Sequence, residues 1–225
     1  MRELLFASCV PALWIISGIH ILFLCLIVSK YLKTKHPIFL LTGAICFGLL
    51  YDALILALGS FLQDGVLLLA MSRMRYVFHG ALIPLIFAIC GYALNLKDRA
   101  MKIVWMLTIT LSVLGISDGC VRQIGAVTVA GVCRYASVSA PAWAEIVNAL
   151  LTFGTVIPLM IVGVVVWVRQ KTPNLFLAGF LMFAFSGLGA ACLELMFYIS
   201  MYGEVLMAAF FYLYAQQKAS AAIAG

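Results

Sequence analysis

The sequence predicts an all-α integral membrane protein: a bundle of seven transmembrane helices with the N-terminus outside and the C-terminus cytoplasmic. Three observations predict it. Of 225 residues, 66% are hydrophobic and only 10% charged, with a mean hydropathy of +1.17, whereas a soluble domain carries about 25% charged residues. Apolar stretches of the roughly 20 residues needed to cross a bilayer recur along the chain. Basic residues gather in alternate connections between those stretches.

The spans are expected near 8–30, 38–62, 66–95, 102–119, 143–168, 174–200 and 203–218, forming one transmembrane domain over 1–218, with 219–225 as a flexible tail. The first apolar run, from Leu4 to Ser29, is too long for a signal-peptide core and reads as a retained span. Spans two and three are joined by the short turn Gln63, Asp64, Gly65, which makes them antiparallel neighbours. Spans six and seven share the stretch from Pro173 to Gln217, with a tight turn expected at Ser200 to Gly203. Pro84 and Pro158 are expected to kink spans three and five and to free carbonyls for other partners. The run from Pro37 to Gly43 echoes that from Pro173 to Gly179, an offset suited to parallel repeats, but the echo of Gly80 to Leu85 in Gly154 to Leu159 lies only two spans apart and argues against one.

Orientation follows from charge. Lys30, Lys33 and Lys35 lie in the first connection, Lys97, Arg99 and Lys102 in the third, Arg169 and Lys171 in the fifth, and Lys218 after the last span. These are nine of the fourteen Lys and Arg residues, and the positive-inside rule places them in the cytoplasm. The net charge of +6 therefore reports topology, and no nucleic-acid partner is expected. The expected location is the plasma (inner) membrane, multi-pass.

The candidate chemistry lies in the hairpin of spans two and three. Asp52 and Arg75 sit twelve and eleven residues from Asp64 on either side of the turn, which matches their depth at 1.5 Å per residue. His79 follows Arg75 by four residues and shares its helix face. An acid, a guanidinium and an imidazole inside apolar sequence mark a functional site, with Arg75 binding an anionic group and Asp52 and His79 moving protons. The bland alternative is an ion pair that locks two helices. In a second geometry, residues 66–75 lie at the membrane interface and the arginines are snorkelling anchors.

Glu194, flanked only by apolar and small residues in span six, is the expected companion of this cluster. Secondary candidates are His20, which shares a face with Ser17, together with Arg73, Glu145 and Asn148. Asp118 and Glu204 read as span ends at headgroup level. Cys120 and Cys133 bracket a Gly-containing outer loop and are a disulfide candidate. No metal is expected, for the chain has no HExxH, no CxxC and no histidine pair at helical spacing. No cofactor motif occurs, and a retinal protein is disfavoured because span seven has no internal lysine.

The expected function is binding or transport of a small anionic or amphipathic molecule through an outward-facing polar cavity within the membrane. Two alternatives stand beside it: an intramembrane lipid-modifying enzyme using His79 with Asp52 or Glu194, and an accessory subunit of a larger membrane complex. Expected partners are membrane lipids, the small ligand, and a second copy or another membrane protein.

Overall fold

A computed structural model describes residues 2–224, and is helical apart from one β-hairpin. The helices are α1 (Arg2–Thr34), α2 (Pro37–Leu58), α3 (Val66–Leu82), α4 (Leu85–Ala93), α5 (Asp98–Val121), α6 (Ala142–Gln170), α7 (Asn174–Ala190) and α8 (Met196–Ala224). The hairpin strands β1 (Gln123–Val129) and β2 (Val132–Ser139) lie between α5 and α6. With α3 and α4 taken together as Val66–Ala93, six helices among the described residues are long and apolar enough to cross a membrane. The seventh apolar helix, α7, has only 17 residues. The chain is a polytopic helical membrane protein.

Each helix buries the stripe its sequence provides. In α1, Cys9, Leu13, Ile16, His20 and Ile27 are buried at helical spacing, and α1 lies against α2 and α8. The α2 helix opens with Pro37 at its first turn, and the Ile38 N–H donates to His36 Nδ1 at 3.3 Å. Proline is suited to that position because its missing N–H has no intrahelical acceptor there. Pro84 ends α3, as expected, and α4 resumes at Leu85. The Ser112 hydroxyl donates to the Ala81 carbonyl at 2.8 Å beside this break. Pro158, by contrast, lies inside the continuous helix α6.

Glycine sets the closest crossings. A Cβ on Gly80 would lie 2.3 Å from the Gly115 carbonyl oxygen, so α3 and α5 meet backbone to backbone. Gly163 lies nearly as tight against the Phe176 backbone, and Gly179 packs less closely on the Leu159 and Met160 side chains, which clamps one end of the α6–α7 pair. Toward the other end the pair opens: among the described residues, Gly187 has nothing beyond its own stretch of helix within 4 Å of where its Cβ would stand.

The four basic connections lie at one end of the bundle. Lys218 Nζ donates to Asn95 Oδ1 at 2.6 Å, Gln170 Nε2 to the Ala93 carbonyl at 2.8 Å, and the Thr172 hydroxyl to Gln217 Oε1 at 2.5 Å. Lys30 and Thr34 share a cleft with Gln216 and Ser220 at the same end.

The β-hairpin covers the other end, where a plain loop was expected. Its strands pair from Gln123 with Ser139 to Val129 with Val132, leaving Ala130 and Gly131 as a two-residue turn with φ of 53° and 77°. Positive φ at both turn positions is the type I′ geometry that matches strand twist. The Cys133 N–H donates to the Gly59 carbonyl at 2.8 Å, and the Tyr135 hydroxyl donates to Asp64 Oδ1. Val132 is buried among Cys9, Leu13, Leu195 and Tyr198.

Two expected boundaries move, and the disulfide candidate is not bonded. The break before the last helix falls at 191–195, with a 3-10 turn at Leu193–Leu195, not at Ser200 to Gly203. The apolar composition on both sides concealed it, since Cys192 and Leu193 resemble helix interior. Residues 219–224 continue α8 and are not a separate tail, because alanine is the strongest helix former; residue 225 lies outside the described residues. Cys120 and Cys133 are both free. Cys120 is exposed in the last turn of α5, while Cys133 is fixed in β2 opposite Thr128.

Candidate functional site

Helices α2 and α3 bring Asp52 and Arg75 together. The Ser60 to Gly65 turn returns the chain antiparallel, and aromatic contacts set the rotation. Phe78 packs edge-on against Tyr51 and Phe47, with centroids 4.9 and 5.7 Å apart. The Tyr51 hydroxyl donates to the Met71 carbonyl at 3.2 Å. With α3 so oriented, Arg75 Nε donates to Asp52 Oδ1 in a largely buried ion pair. Helix α3 runs unbroken from Val66 through Arg75, so the pair forms and the arrangement in which Asp52 loses this partner does not arise.

The pair leaves part of Arg75 unused. Its Nη1 is buried and has no hydrogen-bond partner among the described residues. A buried donor without an acceptor costs about 1–3 kcal/mol, more when charged, so the position favours an incoming acceptor. The Tyr76 ring lies 5.9 Å from the Arg75 guanidinium.

Arg75 and Asp52 line a cavity of about 190 Å³ together with Tyr76, His79, Asp118 and Asn148. A second, apolar cavity of about 290 Å³ adjoins it, walled in part by Leu49, Ile83, Met182, Met196 and Met207. The two meet at His79 and Leu151. His79 is exposed to these cavities and has no hydrogen-bond partner among the described residues. A polar chamber and an apolar chamber thus share one imidazole at their junction.

Glu194 is not part of this arrangement. It is exposed in the 3-10 turn after α7 and lines neither cavity. Displacement of the helix break by about ten residues is the reason: Glu194 falls in the connection rather than on a helix face. Glu204, expected at headgroup level, occupies instead the interior position expected of Glu194. It is buried in α8, its Oε2 has no partner among the described residues, and the charges of Asp52 and Arg75 reach it.

The secondary candidates divide. Arg73 points away from the cavity and donates to the carbonyls of Gly119, at 3.1 Å, and Arg122. A cation there satisfies the last carbonyls of α5 and complements its dipole. Asn148 is exposed at the mouth of the polar chamber. Glu145 is exposed and accepts from Arg122 at 3.3 Å, while Arg122 also pairs with buried Asp118 at 2.9 Å. His20 is buried, with Nδ1 3.0 Å from the Ile16 carbonyl and Nε2 without a partner among the described residues. Ser17 donates to Leu13 at 2.8 Å and does not pair with it.

Arg134 could not be found from sequence. From β2 it lies 4.3 Å above the Phe197 ring, and its buried Nε has no partner among the described residues. Burial first, and then the like charge of Arg75, push its guanidinium pKa down. It therefore adds a second cation to the closed end of the Asp52–Arg75 cluster. Only the hairpin geometry carries it there. Among the described residues no group of three or more His, Cys, Asp or Glu side chains is placed to hold a metal ion.

These features define a multi-pass helical membrane protein with a charged chamber inside its bundle. Compared with known protein families and with curated proteins, the chain matches none.

Proposed function

We propose that the protein binds, and moves across or within the membrane, a small anionic or amphipathic molecule held in the chamber beside Asp52 and Arg75. One observation carries this: a buried guanidinium whose Nη1 lacks an acceptor stands in the wall of a cavity. Arg75 keeps Nε on Asp52, and Nη1 receives the anionic group of the ligand. Asp52 supplies the counter-charge when the chamber is empty. His79, which borders both cavities, donates or accepts a proton as the ligand arrives and leaves. Glu204 takes the acidic role first assigned to Glu194.

The wider reading is a seven-span bundle in the plasma (inner) membrane, N-terminus outside, with the basic end cytoplasmic. It rests on the positive-inside rule and on the meeting of the basic connections at one end. The chamber then belongs to the outer half, beneath the β-hairpin.

The test uses hexanoate as a minimal anion. In detergent, hexanoate is expected to raise the melting temperature of the wild-type chain in a saturable manner, because a ligand that binds only the folded state stabilises it. Arg75→Gln is expected to abolish that rise. Equal stabilisation of both proteins, or none of either, overturns the proposal.

A further inference from the structure

We infer that the ligand is a single-chain amphiphile with an anionic head, taken up sideways from the bilayer between α6 and α7. The inference rests on the anion site proposed above and adds the ligand's tail and its route.

The route is built into the helix pair. At the basic end, Gly163 and Gly179 press α6 and α7 together, with a Cβ on Gly163 only 2.5 Å from the Phe176 backbone. Toward the other end the helices diverge, and the gap is bordered by Phe153 from α6 and by Phe183, Gly187 and Ala190 from α7, all exposed. Among the described residues, and apart from its own stretch of helix backbone, no atom stands within 4 Å of the Gly187 Cβ position. In a bilayer such an opening on the helix flank meets hydrocarbon, not water. Behind it lies the apolar cavity of about 290 Å³, too poor in polar groups to hold a hydrated solute.

The tail chamber leads to a charged end. His79 and Leu151 border both cavities, and beyond them stands Arg75 with its unused Nη1. A purely apolar guest would leave that donor unsatisfied. A fully water-soluble anion would leave the apolar chamber and its side opening without a role. A head that accepts from Arg75, joined to one flexible chain, matches both. The combined space lies in the range of small-ligand pockets, about 300–1,000 Å³, and suits one chain in preference to a two-chain phospholipid.

The experiment uses palmitate carrying a mid-chain diazirine, added to the full chain in phosphatidylcholine liposomes. Irradiation and peptide mapping are expected to label residues of the apolar chamber, such as Met182, Ser186 and Met207. Unlabelled palmitate is expected to compete, and hexadecanol, which lacks the charge, is not. Arg75→Gln is expected to lower chamber labelling about tenfold, the loss of one charge-assisted hydrogen bond. Gly187→Leu, and independently Ser186→Leu, are expected to lower it by a similar factor, with gel filtration reporting the folded state. Stabilisation by hexanoate without chamber labelling overturns this inference and leaves the anion site standing. Labelling that is equal in wild type, Arg75→Gln and Gly187→Leu identifies surface lipid contact only and also overturns it. Failure of both hexanoate and palmitate removes the anion site as well.

Discussion

Arg75 has more donors than Asp52 engages, and this imbalance governs what substitution at either residue does. Removing one partner of a buried ion pair costs about 3–5 kcal/mol, because the other charge is stranded. Asp52→Ala is therefore expected to lower the melting temperature more than the double change Asp52→Ala with Arg75→Met, a comparison that thermal unfolding in detergent makes directly. Asp52→Asn keeps an acceptor for Nε and is expected to cost less than Asp52→Ala. A different residue-level effect arises at His36, which lies in the connection between α1 and α2. Its Nδ1 must be unprotonated to accept the Ile38 N–H. Burial, and then the charge of Lys218, lower its imidazole pKa below the usual 6.5. The folded chain thus binds fewer protons than the unfolded chain in this range. The resulting stability is complete above about pH 6.5 and is lost as pH falls toward the lowered value. His36→Asn retains a capping acceptor and is expected to flatten this limb of the stability–pH curve, read by melting between pH 7.5 and 5. His36→Ala is expected to cost about 1 kcal/mol at neutral pH.

At the scale of elements, glycine contacts separate positions that sequence alone treats alike. Gly80→Ala drives a methyl group into the Gly115 backbone, and overpacking of this kind costs about 1–3 kcal/mol. Gly187→Ala meets open space and is expected to be neutral or stabilising by up to about 1 kcal/mol, the helix-propensity difference. Paired melts of the two variants check the α3–α5 crossing against the α6–α7 opening. The long helices were legible because a run of apolar residues needs no partner to declare itself, and the matched spacing about Asp64 was enough to anticipate Asp52 against Arg75. What stayed hidden has a common physical origin. The β-hairpin has strand formers in Ile124, Val127, Val129, Val132 and Tyr135, but small and polar residues interrupt their alternation. An alanine stands where type I′ turns favour Asn or Asp, so the segment between two spans read as a loop. Arg134 was invisible for that reason, its role depending wholly on where β2 docks. The α7–α8 break lies in sequence as apolar as the helices it divides, and this exchanged the places of Glu194 and Glu204. A deletion that replaces 123–139 with a flexible linker tests the hairpin's contribution: it is expected to lower stability and to expose Gly59 and Asp64 to proteolysis nearby.

For the whole molecule, one end is basic and the other is closed by the hairpin. This polarity predicts that a cysteine placed at Thr128, in a chain whose native exposed cysteines are replaced, reacts with an impermeant maleimide from outside intact cells. One placed at Lys35 is expected to react only after permeabilisation. The reverse pattern overturns the proposed orientation while leaving the fold untouched. The short helix α7 has a consequence of another kind. Its 17 residues span about 26 Å, less than the roughly 30 Å hydrocarbon thickness of a typical bilayer. On the proposed seven-span reading, in which α7 crosses the membrane, the sheet of lipid beside it must pinch inward, and the elastic cost falls on the side where the bundle is already parted. On that reading the protein would be a local deformer of its own solvent: it is expected to melt at a higher temperature in bilayers of shorter acyl chains, and to collect where a membrane is thin.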